Sequence, residues 1–136
     1  MIIDGTNMIL GRLATFAARK SLEGEDVIIV NAEKVVISGK KNEIIARYNE
    51  KTDRGNRLKG PYFPKQADRL VRRTIRGMLP YKQGRGKIAF RKVMCYLGIP
   101  EKYKNEKMET VKQADFNRLK TAKFMRVDRL TQLIGK

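Results

Sequence analysis

Residues 26–31 read Asp26-Val27-Ile28-Ile29-Val30-Asn31, and this run decides the fold. Four consecutive β-branched apolar residues between polar ends are typical of a strand that is covered on both faces of a sheet. Upstream, residues 1–5 predict a short buried strand, and the apolar spacing over 10–23 predicts a helix that Gly24 ends. A strand, a helix and a strand in this order form a βαβ unit, so the two strands should pair in parallel.

Downstream of this unit the patterns predict smaller elements. They are a β-prone run at 35–37, a polar helix over 40–51, a basic loop over 52–66 with a short strand near 57–59, and a core strand over 93–97. The most clearly amphipathic helix begins at Ala67 and is ended by Pro80. Its predicted buried face is Ala67, Leu70, Val71, Ile75, Met78 and Leu79.

Positive charge is concentrated in residues 54–92, which hold thirteen basic residues and one acid, Asp68, for a net charge of +12. Residues 1–53 sum to zero, and the whole chain carries +17. Because such crowding costs self-repulsion and adds nothing to a core, it predicts a polyanionic partner; the alternative is a solvated basic face. The basic residues are Arg54, Arg57, Lys59, Lys65, Arg69, Arg72, Arg73, Arg76, Lys82, Arg85, Lys87, Arg91 and Lys92.

Four arginines form a stripe on the helix after Ala67, since Arg69, Arg72, Arg73 and Arg76 follow the i, i+3, i+4, i+7 spacing. Asp68 is the only acid on that helix, so the guanidinium groups are predicted to be unpaired. A row of unpaired guanidinium groups suits phosphate binding better than it suits an isolated helix. The stripe therefore predicts a nucleic-acid contact.

Two further features of the basic segment remain open to two interpretations. Tyr62, Phe63 and Tyr81 are candidates for stacking on unpaired bases, and equally for holding the loop against the core. Gly84-Arg85-Gly86-Lys87 is either an RNA-binding loop whose glycines allow positive φ or a flexible connector between the helix and the last strand. A short helix is predicted over 86–92.

The residues that catalytic, metal-binding and nucleotide-binding sites require are absent or share no motif in this chain. The chain has no histidine and one cysteine, Cys95, which lies in an apolar run and is predicted to be buried. The available acids Asp4, Glu33 and Asp68 share no motif, and the glycines complete no nucleotide-binding pattern. We expect no enzyme activity, metal, cofactor or small-molecule substrate. The absence of an apolar run of about 18 residues predicts no membrane span.

Ordered segments of the chain resemble the large-subunit ribosomal protein thirteen family, in its archaeal and eukaryotic form. The resemblance covers residues 1–100 and is most specific where Arg76-Gly77-Met78-Leu79-Pro80 follows the upstream arginines. Ile99-Pro100 favours the archaeal or eukaryotic branch. The other matching segments are Leu10-Gly11-Arg12-Leu13-Ala14, Val30-Asn31-Ala32-Glu33-Lys34 and Tyr96-Leu97-Gly98-Ile99-Pro100.

This resemblance implies a three-layer α/β/α fold around a small, mostly parallel sheet of about four strands. It also implies a structural role in translation, on the large subunit of the cytoplasmic ribosome, bound to 23S-type ribosomal RNA and to neighbouring ribosomal proteins. Residues 1–100 would form the core, with segment 54–92 facing the RNA.

The end of the chain is predicted as a basic extension over 101–136. Residues 101–123 are charged and weakly periodic, so they are expected to wrap over a partner and to become ordered on the RNA. A short helix over 129–134, capped by Asp128 and ended by Gly135, should anchor the extension.

The leading hypothesis is a protein that neutralises ribosomal RNA phosphates and thereby stabilises RNA folding and subunit assembly. Two alternatives remain on the residues alone. One is a nucleic-acid-processing enzyme on an α/β core, and the other is a DNA-binding architectural protein.

Overall fold

The computed structural model describes residues 1–134, which fold as five strands and five helices with short 3₁₀ turns between them. The strands are β1 (Ile2–Asp4), β2 (Val27–Val30), β3 (Val36–Ser38), β4 (Val93–Cys95) and β5 (Phe124–Arg126). The helices are α1 (Leu10–Leu22), α2 (Lys41–Asp53), α3 (Ala67–Gly77), α4 (Gly84–Arg91) and α5 (Val127–Leu133).

The predicted βαβ unit is confirmed. β1 and β2 pair in parallel with Ile2 opposite Ile28, and β4 pairs in parallel on the other side of β2 with Val93 opposite Val27. β2 is therefore the central strand, as its continuous apolar run indicates. The short strand expected near residues 57–59 is a single bridge between Asn56 and Gly60.

The α/β fold class is confirmed, with the strands divided between two sheets. β3 does not join the parallel sheet but pairs antiparallel with β5, so that Ile37 lies opposite Met125. No sequence pattern predicts β5. The strand has three residues, of which only Met125 is buried, and this is too short to show the alternation of apolar and polar residues that marks a strand.

The core lies between the parallel sheet and the helices. α1 contributes Leu13, Ala14 and Ala17, which are fully buried, and it lies against both α3 and α4. The predicted buried face of α3 is confirmed at Ala67, Leu70, Val71 and Ile75, and Leu79 beyond the helix is buried too.

Met78 is the exception on that face, with 43% of its surface exposed. α3 ends at Gly77, three residues before Pro80, and a turn follows. Met78 therefore lies beyond the helix, where its sulfur accepts from Thr15 Oγ1 of α1 at 3.5 Å.

The prediction of a glycine loop at residues 84–87 is wrong. These residues form the first turn of α4, and neither glycine has a positive φ. Gly86 is buried because the start of α4 packs against the turn that precedes it. A Cβ at Gly86 would lie 1.9 Å from the carbonyl oxygen of Pro80. The glycine therefore permits a close backbone contact in the fold.

The segment predicted to wrap over a partner packs on the core of its own chain. The N–H of Glu109 donates to Ile2 O at 2.8 Å, and its carbonyl accepts from Asp4 N at 3.1 Å, which covers the outer edge of β1. Val111 and Ala114 are buried. An edge strand leaves backbone groups unpaired, and this segment pairs them.

The last helix begins at Val127, two residues earlier than predicted, and Leu130 and Ile134 anchor it in the core. Asp128 does not cap it, since the cap position is Arg126 and no side chain bonds there. The predicted stop at Gly135 lies outside the described residues.

Cys95 is buried in β4, as predicted, and burial raises the pKa of its thiol to about 12. Because the thiolate is the reactive form, we expect a disulfide-exchange reagent to label the native protein at pH 8 far more slowly than the denatured protein. Labelling at equal rates in the two states would contradict this placement.

Candidate nucleic-acid interface

The arginine stripe lies on α3 because the apolar positions of that helix are committed to the core. With Leu70, Val71 and Ile75 fully buried, the helix cannot rotate, and the arginines are held on its flank. Arg69 is exposed, and Arg72, Arg73 and Arg76 are half-buried.

These four arginines line one concave groove of about 610 Å³, which we call the arginine groove. The loop that leads into α3 and Phe90 of α4 also line it. No carboxylate is among the described residues that line it. The full lining is Tyr62, Phe63, Pro64, Lys65, Gln66, Arg69, Arg72, Arg73, Arg76 and Phe90.

Arg73 is partly buried in the groove, close to the positive charge of Arg76. Burial and the positive charge of Arg76 both lower the pKa of its guanidinium group. Its guanidinium carbon lies 5.9 Å from the centre of the Phe63 ring, and that of Arg76 lies 4.7 Å from the centre of the Tyr81 ring. The aromatic contacts orient these cations without neutralising them. An anion in the groove would relieve the repulsion.

Arg72 differs from its neighbours because it already has partners. Its Nε donates to the carbonyl of Val93 at 2.8 Å, and Nη2 donates to the carbonyl of Phe90 at 3.2 Å. The guanidinium also stacks on the Phe90 ring, 3.9 Å from its centre. Among the described residues no carboxylate pairs with Arg72, as expected, but its guanidinium is used within the fold: Arg72 joins α3 to the end of α4 and to the outer edge of β4.

We expect Arg72→Ala to lower the free energy of unfolding by about 2–3 kcal/mol, since two charge-assisted hydrogen bonds are lost. The matched control is Arg73→Ala, which removes the same charge one residue away and should cost less than about 1 kcal/mol. Urea denaturation followed by circular dichroism measures both. Equal losses would show that the two arginines serve the fold alike.

The three candidate stacking residues differ in their contacts and in their exposure. Phe63 is half-buried and packs on Tyr48 of α2, with ring centres 6.1 Å apart, which supports its role in holding the loop. Tyr62 is 66% exposed, and its hydroxyl donates to Arg57 O at 2.8 Å. Tyr81 lies under Arg76. Tyr62 keeps the ring face most accessible to a base.

The structure brings only part of the predicted site together. Arg54, Arg57 and Lys65 line an adjoining hollow of about 300 Å³, where Arg54 also pairs with Glu50, and Lys59 is exposed in the same loop. The basic residues after Pro80 do not line the arginine groove. Among these, Lys82, Arg85, Lys87 and Arg91 are exposed, and Lys92 donates to Gly24 O at 2.9 Å.

Sequence reasoning missed Phe90 and a second basic groove formed by Arg12, Arg19 and Arg118. In the sequence Phe90 is a single apolar residue in a short helix, and nothing there indicates that it lines the arginine groove. The other arginines escaped notice because residues 1–53 have no net charge, and Arg118 is about a hundred residues from its neighbours in the groove.

The acids that an enzyme could have used are dispersed. Asp4 accepts hydrogen bonds from Thr6 and Asn31, and Glu33 accepts one from Gly98 N. Burial opposes ionisation of Asp4, but these bonds and Lys34 hold its pKa below the ordinary value. In residues 1–134 no three metal-ligating side chains form a group, and no helix has the length and apolar character needed to cross a membrane.

Comparison with known proteins agrees with this geometry. The model of the family described as ribosomal protein L13 matches residues 1–102. Large ribosomal subunit protein uL13 of Methanosarcina barkeri is 43% identical over 135 residues, which cover 98% of this chain and 96% of the relative. The same protein of Archaeoglobus fulgidus is 41% identical, over 98% of this chain and 86% of the relative. The chain therefore belongs to the ribosomal protein L13 family, whose members are structural constituents of the cytoplasmic ribosome and not enzymes.

Proposed function

We propose that this protein binds large-subunit ribosomal RNA through the arginine groove, neutralises its phosphates and so stabilises RNA folding and subunit assembly. One observation carries the proposal: four arginines and Lys65 line a concave surface with no carboxylate among the described lining residues. Each cation that replaces a condensed counterion on RNA contributes a salt-dependent gain in binding free energy.

Folded RNA fits this surface better than duplex DNA does. A recognition helix in the major groove presents an exposed face to the bases, whereas α3 has its apolar face in the core and its arginines in a groove. A concave basic surface with an exposed aromatic ring suits a distorted backbone and an unpaired base. Segment 54–92 would supply this surface, and residues 101–136 and the neighbouring ribosomal proteins would make further contacts on the subunit.

Binding titrations of the purified protein test the proposal. The probes are large-subunit ribosomal RNA and a duplex DNA of matched charge, each at several salt concentrations. We expect tighter binding to the RNA at every salt concentration, with an affinity that falls steeply as salt rises. Equal affinity for both, or RNA binding that does not respond to salt, would contradict the proposal.

A further inference from the structure

A second basic groove, of about 330 Å³, lies between α1 and the turn at residues 116–118. Arg12 and Arg19 reach it from α1, and Arg118 reaches it from the opposite side. Half-buried Phe16 lies in the wall between them. The complete lining is Arg12, Thr15, Phe16, Arg19, Gln113 and Arg118. We call it the α1 groove.

The three arginines of the α1 groove are not neutralised within the described chain. None of them lies within 4.0 Å of a carboxylate there, and all three are exposed. The acids at the end of α1, Glu23 and Glu25, pair with Lys20 instead, at 3.5 and 4.0 Å. The nearby Asp115 accepts from Asn117 N. The local acids therefore already have partners outside the groove.

Hydrogen bonds to backbone carbonyls hold α1 and the opposite side of the α1 groove together. Arg12 Nη1 donates to Gln113 O at 3.3 Å, which ties α1 to the segment after Val111. Ile9 N donates to Ala114 O at 2.7 Å, so the start of the helix is tied to the same segment. α1 has no acid in its first turn and no side-chain cap, and its dipole adds positive potential near Arg12.

We propose that the α1 groove binds a second segment of ribosomal RNA, so that the protein joins two RNA segments through two separate basic grooves. The α1 groove and the arginine groove share no lining residue. The inference rests on the proposed RNA binding and extends it. Three guanidinium groups and an aromatic side chain line this one groove, and such a set matches a phosphate backbone with an adjacent base.

The test is chemical footprinting of large-subunit ribosomal RNA with wild-type protein and two double variants. Arg19→Gln with Arg118→Gln empties the α1 groove of two charges and leaves the Arg12 bond to Gln113 in place. The matched control, Lys41→Gln with Arg47→Gln, removes two charges from exposed sites outside both grooves. Circular dichroism establishes that each variant is folded as the wild type is.

We expect the wild-type protein to protect two RNA segments. The Arg19/Arg118 variant should lose protection of one segment and retain the other, while the control keeps both. Its affinity should fall about tenfold or more, and its salt slope by about two units. An unchanged footprint, uniform weakening of all protections, or equal loss in the control would overturn the second site. Absence of any protection by the wild type would instead contradict the proposed function.

Discussion

Replacing Gly86 by alanine is expected to lower the free energy of unfolding by about 3 kcal/mol. The new Cβ would lie 1.9 Å from the carbonyl oxygen of Pro80 and 2.8 Å from the amide nitrogen of Tyr81. Both are backbone atoms, so the clash cannot be relieved by a side-chain rotation. α4 would have to move away from the turn that precedes it, and the contacts of Ala89 and Phe90 would move with it.

Gly84→Ala is the matched control, because Gly84 begins the same helix two residues earlier and its Cβ would meet nothing within 4 Å. That substitution should be neutral, or stabilising by up to about 1 kcal/mol, since alanine favours helix over glycine. Urea denaturation of both variants, with the wild type, measures the difference. Similar stabilities for the two variants would show that Gly86 is not a required close contact.

The second large effect is expected from emptying the arginine groove. Arg69→Gln, Arg73→Gln and Arg76→Gln in one protein should weaken binding to large-subunit ribosomal RNA by about 100-fold to 1000-fold at about 0.1 M salt. The slope of log affinity against log salt should become shallower by about 2–3 units, since three phosphate contacts are lost. Arg72 is left in place because it bonds to Val93 and Phe90 in the fold.

The control for this variant removes three charges elsewhere, through Lys40→Gln, Lys41→Gln and Arg47→Gln, which are exposed sites outside both grooves. It should weaken binding much less, because it alters only the long-range field of the protein. Thermal unfolding shows whether either protein has lost its fold. An equal loss of affinity in both variants would mean that net charge, and not the groove, governs RNA binding.

Local patterns determined the parts of the fold in which neighbours in sequence are also neighbours in space. The apolar run at 27–30 and the spacing in α1 and α3 predict the parallel βαβ unit and the buried faces, since the periods of strand and helix are properties of short segments. The same holds for the burial of Cys95 between apolar residues. The charge count likewise located the arginine stripe, because all its members lie on one helix.

The tertiary structure decided what depends on contacts between distant segments. The pairing of β3 with β5 and the covering of β1 by Glu109 join positions about 90 to 105 residues apart, and no local period records such a contact. Arg72 is intelligible only beside Val93, 21 residues further along the chain. The α1 groove likewise brings Arg12 and Arg19 together with Arg118. It forms only after the chain has closed a loop of about a hundred residues, and this is why no local pattern predicts it.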